Sequence, residues 1–86
     1  MNKIYGIKVR NQRNSSVTYN FVESFGVFTS FSDACDKIDS IIKKKVADTK
    51  YKPFTDTYMH SGYMYTDNNG NKVYVTYHII ELEVCV

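Results

Sequence analysis

The sequence predicts a small α+β domain, an antiparallel sheet covered on one face by a single amphipathic helix. Three observations carry that prediction. Residues 58–86 alternate on either side of Asp67-Asn68-Asn69-Gly70-Asn71-Lys72, a hairpin signature. Apolar side chains between Ala34 and Lys45 recur at helical spacing. Two further alternating runs flank a polar stretch near the N-terminus. The order ββαββ is expected to pack as a two-layer sandwich. At 86 residues the chain is one domain, 1–86, with a small core.

In the first hairpin, Tyr5, Ile7 and Val9 share one face of a strand and Gly6, Lys8 and Arg10 the other. Asn11 to Ser16 are polar turn-formers, and Val17, Tyr19 and Phe21 then alternate with Thr18 and Asn20. This second strand is expected to run on toward Phe28, with Gly26 as a bulge.

The helix follows. Thr29, Ser30 and Ser32 are all competent N-caps, and Ser30-x-x-Asp33 has capping-box spacing. Ala34, Ile38, Ile41, Ile42 and the stem of Lys45 make the buried stripe. Asp33 and Asp36 early, with Lys43, Lys44 and Lys45 late, complement the helix dipole. Pro53 lies beyond the helix, and residues 46–57 read as an irregular crossover that is packed through Tyr51 and Phe54 or open to a partner.

For the closing hairpin, Asn69-Gly70 fit the two central positions of a type I′ turn. That register sets Tyr65 opposite Tyr74, Met64 opposite Val75 and Gly62 opposite Tyr77. Past Ile79-Ile80 the apolar phase changes to Ile80, Leu82 and Val84, so a bulge or bend is expected there.

Composition narrows the function. A net charge of +2 is too small to imply a nucleic-acid or membrane partner and excludes an acidic imitation of the DNA backbone. Cys35 and Cys85 lie far apart without a C-x-x-C, which fits two small buried hydrophobes in a reducing, cytoplasmic setting. No apolar run approaches the ~18 residues of a membrane span. No catalytic or cofactor motif is present, so no enzyme and no cofactor are expected. In the type I′ register His60 and His78 fall on opposite faces, and two histidines alone make an incomplete metal site; no metal is expected. Cys35 sits at the edge of the helix stripe, and Asp33, Asp36 and Asp39 form a solvated acidic face.

The remaining candidate is a contact surface. Eight Tyr and five Phe are unusual in a chain of this size. The same register gathers Tyr63, Tyr65 and Tyr74 on one hairpin face beside Thr76 and His78. Tyrosine is favoured at interfaces, where the ring contributes area and the hydroxyl stays hydrogen-bonded. Tyr63, Tyr65, Tyr74 and His78 are therefore the expected binding patch, with Arg10 and Arg13 of a basic arm adding charge complementarity. The occupant is expected to be a protein. A second copy of the chain suits the face equally well. Single-stranded nucleic acid ranks below, because the hairpin itself carries only Lys72 as a basic residue. A third reading is an oligomer that grips a small nucleotide signal.

The run Gly26-Val27-Phe28-Thr29-Ser30-Phe31-Ser32-Asp33-Ala34 and the closing Tyr77-His78-Ile79-Ile80-Glu81-Leu82-Glu83-Val84 resemble small uncharacterised α+β proteins common in phages of low-GC bacteria. The resemblance covers about half the chain and concerns the fold rather than a site. It implies a protein that binds and blocks a host defence protein in the host cytoplasm, as anti-CRISPR and other anti-defence inhibitors do.

Overall fold

A computed structural model describes residues 3–22 and 25–83. The fold is α+β. Strands β1 (Lys3–Arg13) and β2 (Ser16–Phe21) precede helix α1 (Phe31–Val46), and β3 (Lys52–Thr55), β4 (Ser61–Thr66) and β5 (Lys72–Glu83) follow it. The five strands form one antiparallel sheet in the order β2-β1-β5-β4-β3. The element order is thus ββαβββ rather than ββαββ. The additional strand is β3, inside the stretch expected to be irregular. Its Pro53 cannot donate a ladder hydrogen bond, and β3 is an edge strand, where that costs nothing.

The N-terminal hairpin is tighter than its sequence indicates. Strand pairing persists to Arg13 opposite Ser16, so the turn is only Asn14-Ser15, with Asn14 at φ 55°. Asparagine tolerates that left-handed conformation better than most residues. The basic residues Lys8 and Arg10 consequently lie within a strand and form no projecting arm. β2 ends at Phe21, and Phe28 makes a single bridge with Tyr5 instead of prolonging it.

Helix α1 starts as its capping signals indicate. Ser30 is the N-cap and its hydroxyl accepts from the Asp33 backbone N–H at 3.4 Å. Such a cap contributes about 1 kcal/mol. Ala34 and Ile38 are buried, and Ile41 and Ile42 pack beside them. Ile38 shares one buried cluster with Ile7, Val73, Val75 and Tyr77, which fixes the sheet face against which α1 lies. Cys35 is half-buried.

The closing hairpin differs from expectation by one residue. Met64 faces Tyr74, Tyr63 faces Val75 and Gly62 faces Thr76. Asn69 does not have positive φ, which a type I′ turn would require, whereas Gly70 sits at φ 82°. The Asp67 N–H donates to Asn71 O, and Gly70 N–H donates back to Asp67 O. The loop is therefore a type I turn followed by a left-handed glycine, three residues long rather than two. Asp67 organises it, since Oδ1 accepts from the N–H groups of both Asn69 and Asn71 at 2.9 Å. Because strand side chains alternate, this shift by one residue sends the residues of β4 to the opposite face.

No bulge interrupts β5 at Ile79-Ile80. Its pairing with β1 is continuous from Arg13 opposite Val73 to Lys3 opposite Glu83. The change in apolar phase has another cause: Gly6 on β1 leaves room on the far face for the Phe21 ring and Leu82, which pack there. Val84 and Cys85 lie outside the described residues.

Candidate functional site on the open sheet face

Alternation along β1 and β5 divides their side chains cleanly. Ile7, Val73, Val75 and Tyr77 face α1, while Lys8, Arg10, Gln12, Tyr74, Thr76 and His78 point the other way. Cross-strand pairing then brings Tyr19, Arg10, Thr76, Gly62 and Phe54 into one row across all five strands. Among the described residues no helix covers this face.

The loop between β3 and β4 rises beside it and makes it concave. Asp56 builds that loop with the hydrogen bonds that Asp67 uses in the next one. Asp56 N–H donates to His60 O, Met59 N–H donates to Asp56 O, and Asp56 Oδ1 accepts from the N–H groups of Tyr58 and His60. The left-handed position filled by Gly70 in one loop is filled by Met59, at φ 67°, in the other. A side chain there carries roughly 1–2 kcal/mol of backbone strain. Tyr58 and Met59 at the loop tip are 82% and 80% exposed.

The resulting concavity has a volume of about 750 Å³ and is lined chiefly by Arg10, Tyr19, Phe54, Tyr58, Tyr74 and the histidines. Tyr19 is held from three sides. Lys8 Nζ lies 4.6 Å from its ring centroid, Arg10 Nε donates to its hydroxyl at 3.1 Å, and the His78 ring meets it edge-on. Arg10 also donates to Gln12 Oε1 at 2.9 Å, while Phe54 packs on Tyr74 at 4.8 Å between centroids.

At one end of the concavity stands a titratable cluster. His60 Nδ1 is 3.0 Å from Asp56 Oδ2, the His60 and His78 rings are 3.7 Å apart, and Thr76 Oγ1 lies 3.0 Å from His78 Nε2. The expectation that the two histidines occupy opposite faces is overturned. His60 belongs to the loop that folds over the face carrying His78, and the register places His78 there. Burial raises the Asp56 carboxyl, but the hydrogen bonds from His60 and Tyr58 and the nearby His60 charge outweigh it and hold the group below 3.8. Burial, then His60, Arg10 and Lys8, push His78 below its ordinary 6.5, against an opposing pull from Asp56.

The His78 shift has a definite sign in stability. Its imidazole is protonated more readily in the unfolded chain than in the folded one. The unfolded state therefore binds more protons as pH falls below 6.5, and stability drops. The thermal midpoint is expected to decline from pH 7.5 to 5.5, and His78→Gln is expected to flatten that decline. Circular-dichroism melts across the range check it; equal slopes in the two proteins would refute the assignment.

The expected binding residues separate into two groups. Arg10, Tyr74 and His78 meet in the concavity. Tyr63 and Tyr65 do not, because they face α1, where Tyr51 packs edge-on against both rings at 5.4 and 5.0 Å. Lys45 lies over Tyr51 and Tyr63, and Lys50 over Tyr51 and Tyr65. Arg13 is also elsewhere, paired with Asp67 at 3.1 Å. Residues that the sequence reading left out of the patch are Lys8, Tyr19, Phe54, Asp56, Tyr58 and His60. The one available signal was the repeated loop grammar, Asp56 before Met59-His60 and Asp67 before Gly70-Asn71.

No protein-family model, curated protein or solved structure matches this chain. Among the described residues, no helix is long and apolar enough to cross a membrane.

Proposed function

We propose that this is a non-enzymatic binding protein that acts by occupying the surface of a partner protein through the open face of its sheet. In this reading the domain is a two-layer sandwich in which α1 covers one face and the partner covers the other. The observation that carries it is the placement of Arg10, Tyr19, Phe54, Tyr58, Tyr74 and His78 around one concavity. Tyr and Arg are the residue types that dominate interface energetics. Charge specifies the occupant. Lys8, Arg10 and Lys52 share this face, and Asp56, the one carboxylate among the described residues lining the concavity, is already engaged by His60. The complementary partner is a protein segment with carboxylates beside an apolar or aromatic anchor. That this partner is a host defence protein rests on the phage resemblance alone.

The test is affinity capture from nuclease-treated lysate with the wild type, Arg10→Glu and, as a charge-matched control on the helix, Lys37→Glu. A stoichiometric protein lost with Arg10→Glu and retained with Lys37→Glu is expected. Retention by Arg10→Glu would defeat the reading. So would tight, steeply salt-dependent binding of a single-stranded oligonucleotide without a protein partner, since counterion release marks a phosphate-backbone ligand.

A further inference from the structure

We propose that Asp56, His60 and His78 form a binding site for a late first-row divalent metal ion of the zinc type. The protein supplies three ligands, and the remaining coordination position opens into the concavity. The potential ligand atoms of the three side chains lie within 4.8 Å of one another. Zinc bonds of about 2.0–2.2 Å to nitrogen and oxygen place neighbouring ligand atoms about 3.4 Å apart on a tetrahedral ion. The His60 Nδ1 to Asp56 Oδ2 separation of 3.0 Å is already close to that edge. An ion between them replaces the proton they share. The remaining gap to His78 is closed by a small rotation of a half-buried imidazole.

The ligand chemistry selects the metal. Two imidazoles with one carboxylate suit zinc and its neighbours, whereas calcium and magnesium take all-oxygen sets. The ligands are also held from behind, as metal ligands generally are. Asp56 Oδ1 is fixed by the N–H groups of Tyr58 and His60, which leaves Oδ2 toward the site. Thr76 Oγ1 lies 3.0 Å from His78 Nε2 and gives that ring a polar support beside the site. Lys8 and Arg10 on β1 add positive charge nearby and weaken a dication's attraction. The Asp56 carboxylate offsets part of that effect. All three ligands line the concavity, so the fourth position is reached by water or by a donor atom of whatever occupies it. Because the ligands come from a loop and from β5, the full set exists only in the folded chain, and metal binding stabilises that state.

The experiment uses the full chain stripped with chelator, titrated with Zn²⁺ by calorimetry and with Co²⁺ by visible absorption. One ion per chain is expected, with at least a tenfold loss of affinity in both Asp56→Asn and His78→Gln. Imidazole resonances of His60 and His78 are expected to shift together as Zn²⁺ is added to the wild type, a readout that requires no variant to fold. Absence of saturable binding, affinity unchanged in both variants, or imidazole signals that do not respond would each overturn the site. None of these readouts depends on a protein partner.

Discussion

Gly62→Ala is expected to be the most destabilising single-methyl substitution in the domain. β4 and β5 approach so closely at this point that an added Cβ would collide with the Val75 carbonyl oxygen and come within 2.7 Å of Thr76 Cα. Both atoms are backbone and cannot move aside without shifting β5, the strand that holds Val73, Val75 and Tyr77 in the core. Forced overpacking of this kind costs about 3 kcal/mol at the upper end of its usual range. For a domain of this size that corresponds to a fall in thermal midpoint of about 12–24 °C. Gly6 makes a useful comparison. Its added Cβ would meet the Phe21 ring at 2.5 Å, but an exposed side chain on an edge strand can turn away. Melts of the two alanine variants check the ranking, and a Gly62→Ala midpoint within a few degrees of wild type would contradict it.

Tyr63→Ala is expected to be nearly as damaging, and for a reason unrelated to binding. The ring is packed between Tyr51 and Tyr65 and also approaches Tyr77, with Lys45 above it. Burial raises its hydroxyl pKa above the usual tyrosine value, against the opposing influence of Lys45 and a hydrogen bond with Tyr77. Removing a fully buried aromatic costs about 3–5 kcal/mol, and this half-buried one is expected to cost about 2–3. Tyr74→Ala loses chiefly its contact with Phe54, for which about 1 kcal/mol is expected. Chemical denaturation of the two variants separates the roles. Equal losses would mean that the two tyrosines are packed alike, against the division of faces described above.

That division was the least legible feature of the sequence. The cap at Ser30, the stripe through Ala34 and Ile38 and the alternation of both hairpins are local patterns, and the fold class follows from them. Whether Asn69-Gly70 formed a two-residue turn or Gly70 closed a three-residue one was a choice between two chemically sound loops. Asp67 decides it by accepting from Asn69 and Asn71, an arrangement to which the Asn-Gly pair gives no clue. One residue of register then moved Tyr63 and Tyr65 to the helix side. His60 was hidden for a different reason. Its position depends on the loop that Asp56 organises, and a methionine in a left-handed conformation is not a recognisable turn residue. β3 was missed because four residues containing proline have no readable period.

If a partner seats on the open sheet face, position-specific photo-crosslinking captures it there. A photoreactive phenylalanine analogue at Tyr74 lies in the concavity, and the same analogue at Lys37 lies exposed on α1. One discrete protein adduct from position 74 and none from position 37 is the expected result. Adducts from position 37 with none from position 74 would contradict it and place the working surface on the helix.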